Sequence, residues 1–222
     1  MSIQKECADH LRQTYRHLTN EKLGSGHAHE IVAAFFGYGS AAALRTELKY
    51  QLDELNRADI LIPHLALMDQ RVQQLQGLPA ELPEVDDLAS QLCDFLRAQG
   101  HFSGTVWHTR DVEDYINSDF IQNDPMMIED DLSSEIATTN AYFDELYIDE
   151  VTLDIGQDAL VALISGSLNG ETDQDRAFHG DSIAFTTVMT FQRVAGRVAY
   201  EKPELETSGA VDMSKYYDDE EA

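Results

Sequence analysis

Positive charge is what this sequence lacks most. Among 222 residues, 15 are lysine or arginine and 41 are aspartate or glutamate, a formal net charge of −26. No lysine or arginine falls between Arg110 and Arg176. A surface of that average sign repels free DNA and RNA, so the expected partner is a basic protein surface and not nucleic acid itself. The plain alternative is that acidity only keeps the chain in solution. Cysteine is scarce too. Cys7 and Cys93 stand far apart and form neither a disulfide framework nor a Cys-x-x-Cys metal site. No apolar run is long enough to span a bilayer. The opening Met-Ser-Ile-Gln-Lys-Glu-Cys has no signal-peptide pattern. A soluble, reducing, cytoplasmic setting is expected.

Catalytic motifs are missing as well. There is no Gly-x-Ser-x-Gly elbow, no phosphate-binding glycine loop and no His-Glu-x-x-His. Cys7 and His10 are three apart, but Cys7 belongs to an apolar stripe, where a core cysteine is the default. Acid pairs such as Glu129 and Asp130 are too common here to mark a glycosidase or nuclease. His27 and His29 sit beside Glu30, and His101 and His108 flank Trp107, yet zinc needs three or four converging ligands. The run Asn169-Gly-Glu171-Thr-Asp173-Gln-Asp175 alternates oxygen-bearing side chains, but the EF-hand glycine and terminal glutamate are not in register. No enzyme activity, cofactor or resident metal is expected.

What is present is a patterned helical half. Ile3, Cys7, Leu11, Tyr15 and Leu18 predict a helix over 2–19. Ile31, Val32, Phe35 and Phe36 make the next helix apolar on most of its surface, so neighbours must enclose it. Gly37 and Gly39 offer positive φ for a turn. Ser40 can cap a helix reaching about Leu55, with Leu44, Leu48, Leu52 and Leu55 as its stripe. Two more helices are expected, one after Pro63 and one over about Val85–Ala98. A further short helix, capped by Thr109, runs to Phe120 with Val112, Tyr115, Ile116 and Phe120 inward. Beyond the acidic stretch the period changes to two. Tyr147, Val151, Leu153 and Ile155 share one strand face, Ala159–Leu168 is an apolar run ending at the turn signal Asn169-Gly170, and Ile183, Phe185, Met189 and Phe191 share another face. The expected architecture is α+β: a helical domain over 1–120, an acidic connection over 121–140, a small antiparallel meander over 141–206, and an acidic tail over 207–222.

The run His27-Ala-His29-Glu30-Ile-Val-Ala-Ala-Phe-Phe-Gly37-Tyr-Gly-Ser40-Ala-Ala-Ala-Leu44 resembles a small helical module found at the N-terminus of bacterial proteins labelled glyoxalase-related. The resemblance covers about twenty residues, mainly packing and turn positions. It implies a helical fold and no chemistry, and it carries over no catalytic residue.

Two binding roles follow. The first is a non-enzymatic acidic protein that engages a basic protein surface, as a nucleic-acid mimic or as the neutralising partner of a toxin or defence enzyme. Its contact residues are expected in the base-free interval: Asp111, Glu113, Asp114, Asp119, Glu129, Asp130 and Asp131, with Tyr115, Phe120, Tyr142 and Phe143 as aromatic anchors among the acids. The second is a nucleic-acid-binding regulator that uses the hairpin. There Ala33, Gly37 and Ala43 have helix-turn-helix spacing, but Ser40-Ala-Ala-Ala-Leu-Arg45 offers few groups for base readout.

Overall fold

The computed structural model describes residues 2–172 and 180–212. The elements run in order as α1 (Ile3–Thr19), α2 (Ser25–Phe35), α3 (Ala41–Arg45), a 3-10 turn at Leu52–Arg57, β1 (Ile60–Leu61), α4 (Leu65–Gln74), α5 (Val85–Ala98) and β2 (Thr105–Val106). Then come α6 (Val112–Tyr115), continuing into a π-helical turn at Ile116–Ile121, α7 (Met126–Glu129), α8 (Ser133–Ile136), β3 (Ala141–Ile155), β4 (Ala159–Thr172), β5 (Ser182–Ala195), β6 (Ala199–Tyr200) and β7 (Glu204–Val211). The class is α+β, helices first and a largely antiparallel sheet after.

Two compact units divide the chain: residues 1–110 with 192–202, and residues 111–191 with 203–222. These limits differ from the divisions at 120, 140 and 206 that composition suggests. Strand β6 pairs with β1, Ile60 opposite Tyr200 and Leu61 opposite Ala199, which returns that hairpin to the helical unit. Residues 204–211, whose charge suggests a tail from 207 onward, form β7 and pair with β5 from Ile183–Val211 to Thr190–Glu204. Residues 213–222 lie outside the described ones.

In the first unit the core is organised on α2. Ile31, Val32, Phe35 and Phe36 have no exposed surface, and the two phenyl rings meet edge to face at 4.9 Å. Gly37 has φ +84°, and a Cβ there would press on the Arg197 side chain, so glycine is required. Gly39 is not in that region. Glu30 Oε2 fixes the turn by accepting from Ala41 N–H (3.2 Å) and from Arg71 Nε (3.1 Å) and Nη2 (2.6 Å).

Ser40 caps α3 as expected, its hydroxyl accepting from Ala43 N–H at 3.1 Å. The helix then stops at Arg45 instead of reaching Leu55. The Thr46 hydroxyl bonds back to the Ala42 and Ala43 carbonyls. The Glu47 carboxylate accepts from Lys49 N–H (2.8 Å), Tyr50 N–H (3.2 Å) and the Tyr38 hydroxyl (2.9 Å). Side-chain acceptors thereby replace the helical carbonyls. Leu48 leaves the core and is 80% exposed, and Leu18 is exposed as well, while Leu52 and Leu55 re-enter the core from the 3-10 turn.

Two histidines tie this unit to pH. His10 stacks on Phe95 at 4.4 Å, and His64 Nδ1 caps α4 by accepting from Leu67 N–H at 3.3 Å. Burial lowers both pKa values below the ordinary histidine range. The unfolded chain therefore binds protons that the folded chain resists. The stabilisation is complete above the unfolded value of about 6.5 and drains away as pH falls through the depressed folded values. A His10→Phe/His64→Asn protein keeps the stack and the cap acceptor but not the titration. Its melting temperature should fall less than that of wild type between about pH 7.5 and 5.5. Carboxylate titration is common to both proteins and cancels. Equal losses would show that neither imidazole is coupled to folding.

In the second unit β3, β4, β5 and β7 form an antiparallel sheet in the order β3-β4-β5-β7. Its inner face carries Leu160, Ala162, Ile164 and Leu168 of β4 and Ile183, Phe185, Met189 and Phe191 of β5, all buried. Irregularities between Phe143 and Glu145 and between Ile148 and Glu150 break the alternation of β3. The inward set is therefore Phe143, then Leu146 and Ile148, then Val151 and Leu153, while Tyr147 and Ile155 are exposed. Asn169-Gly170 does not end β4: Gly170 lies opposite Phe143 inside the ladder, where Tyr142 backbone leaves no room for a Cβ.

Candidate functional site

The acidity belongs to one unit. Residues 1–110 and 192–202 hold 13 lysines and arginines against 15 acids, a net −2. Residues 111–191 and 203–222 hold 2 against 26, a net −24. Those two bases are Arg176 and Lys215, and the described part of the unit has none. In the first unit several acids are paired: Glu30 with Arg71, Glu54 with Arg57, and Asp69 and Asp86 with Arg110. Arg110 and His108 hold the Asp86 carboxyl below the usual range.

Helical spacing sorts the stretch after Asp111 into two sides. Ile116, Ile121, Ile128 and Leu132 are fully buried, and α6 to α8 with the π turn pack against β3 and β7. Leu132 closes on Gly209 of β7, where a side chain would collide with it. The cap of α6 is Asp111, whose Oδ1 accepts from Asp114 N–H at 2.9 Å, in place of the expected Thr109. Asp111, Glu113, Asp114, Asp119, Asp130 and Asp131 are exposed and Glu129 is half-buried. Asp131 Oδ2 also accepts from Thr207 N–H at 3.3 Å. The aromatic residues divide. Tyr142 is 76% exposed, Tyr115 is half-buried, Phe120 faces Phe191 at 6.5 Å, and Phe143 lies on the inner side of β3. Phe120 and Phe143 thus spend their area on packing within the unit.

The other candidates separate in space. His101 bonds Glu6 at 2.7 Å, while His108 reaches Asp86 at 3.4 Å. His27 lies in the first turn of α2 and His29 at the start of the next. Asp173 and Asp175 fall outside the described residues, among which no group of three or more His, Cys, Asp or Glu could hold a metal. Chelator treatment is expected to leave the melting temperature unchanged. A large loss would point to His27 and His29 or to Asp173 and Asp175. Cys7 is fully buried and burial pushes its thiol up to about 12, so it offers no thiolate near neutrality. No helix among the described residues is long and apolar enough to cross a membrane.

One surface was only partly anticipated from the sequence: Tyr142 was expected as an anchor, Tyr147 and Leu163 were not. The outer side of β3 and β4 carries Tyr142, Tyr147 (50% exposed) and Leu163 (48% exposed). The alternation of β4 holds the signal, since Val161 and Leu163 point away from Leu160, Ala162 and Ile164. No family model matches this chain, and no curated protein and no solved structure matches it either.

Proposed function

We propose that the protein is a non-enzymatic, cytoplasmic acidic binding protein whose second unit engages a basic surface on a protein partner, as a nucleic-acid mimic or as the neutralising partner of a toxin or defence enzyme. The observation that carries this reading is the segregation of charge, −24 in one unit against −2 in the other. Solubility alone asks for no such division. Outward carboxylates on short helices pinned by buried isoleucines make a fixed field that steers a cationic partner and discriminates against anionic ones. Nothing favours the hairpin as a nucleic-acid reader: α3 has five residues, and its cap and turn groups are used in packing. The resemblance to the bacterial helical module fits the same view, because Glu30 and Gly37 of that pattern serve the turn.

The test is a pull-down from the native host. A basic protein should be retained at about 50 mM salt and released near about 500 mM, where the Debye length shrinks severalfold. Tight binding of the purified protein to bare duplex DNA would overturn the reading.

A further inference from the structure

We infer that the outer face of the β3-β4-β5-β7 sheet is the docking surface for a basic amphipathic helix of the partner; this rests on the proposed function and places the contact. The inner face of that sheet is packed against the unit's own helices, and the outer face is exposed or half-exposed along all four strands. Between Ala159 and Asn169 of β4 and along Ser182–Gln192 of β5 the two central strands present no charge outward; Glu171, opposite Tyr142, is the one carboxylate on that side of β4. Val161 and Leu163 on β4 and Val188 on β5 alternate there with serine, threonine and alanine. Carboxylates line both sides. Glu150 and Asp154 of β3 stand opposite Ser165 and Val161, and Glu204 and Glu206 of β7 stand opposite Thr190 and Val188. Two strands spaced about 4.8 Å apart offer a strip about 10 Å wide, the diameter of a helix. A helix lying on that strip would bury an apolar stripe on Leu163 and Val188 and reach an acid row with Lys or Arg on either flank. Tyr147, at the edge of the strip with its hydroxyl donating to Glu145 at 3.1 Å, is a half-exposed aromatic positioned beside that row. A second copy docking by this same unit, or a nucleic acid, would set like charge against these rows, and a basic protein helix is the occupant that complements them.

The probe is a synthetic helix of about 18 residues with a leucine stripe bordered by lysines, set against a scrambled peptide of the same composition. Fluorescence anisotropy with the full-length protein should show the amphipathic peptide binding about tenfold tighter than the scramble. Leu163→Ser, which adds no charge, should erase most of that difference, and Leu163→Asp should leave it erased while circular dichroism stays unchanged. The combined Glu129→Gln, Asp130→Asn and Asp131→Asn changes should weaken both peptides alike. Equal binding of the two peptides, or a difference that survives both Leu163 substitutions, would overturn the docking face while the basic-partner reading stands. Failure of both peptides to bind at low salt would overturn both. A wild-type dimer abolished by Leu163→Asp would assign the face to a second copy instead.

Discussion

Replacing Phe35 by alanine should cost about 3–5 kcal/mol of folding stability. Phe35 has no exposed surface, and its ring stands edge to face with Phe36. It sits at the end of a helix whose Ala28, Ile31, Val32, Ala33 and Ala34 are also buried, so no solvent-facing side chain can swing in to fill the gap. The cost is then the lost transfer energy plus a cavity that stays open. Trp107, the single tryptophan, is buried in the same unit and reports the transition by fluorescence. Leu48→Ala supplies the contrast: at 80% exposure it should fall within about 0.5 kcal/mol of wild type. A Phe35→Ala protein equally close to wild type would mean that α2 is not the centre of the core.

The triple change Glu129→Gln, Asp130→Asn and Asp131→Asn should slow association with a basic partner about threefold to tenfold and leave the fold intact. Charge outside the contact itself acts mainly on the encounter, so dissociation should change little. The Asp131→Asn substitution keeps a side-chain oxygen to accept from Thr207 N–H. Asp130 is exposed and Glu129 half-buried, so their amides remain solvated in the folded unit. Association and unfolding measured on the same protein separate the two effects. An unchanged association rate would remove these helices from the encounter surface.

Helix positions were legible because their apolar spacing is unbroken. Val85–Ala98 and Ile3–Thr19 follow directly from such stripes. What escaped depends on groups that compete with the regular pattern. Glu47 and Thr46 end α3 by hydrogen-bonding backbone, which a leucine period cannot show. Two irregularities in β3 exchange inward and outward residues, so Tyr147 reads as buried by simple alternation and lies outside. Asn169-Gly170 carries a turn signature, yet its glycine serves a close backbone approach within a strand. The charge imbalance was visible as a stretch without lysine or arginine, but its confinement to one unit required the pairing of β6 with β1 and of β7 with β5. The outer sheet face needed the register of β3 and β4, since neither strand alone places uncharged centre and acidic flank side by side.

The most direct measurement is the association rate of the protein with its captured basic partner as salt rises from about 50 to 500 mM. A second unit at −24 acting as the binding field predicts a fall of about 10- to 100-fold, with dissociation far less affected. An association rate indifferent to salt would contradict it.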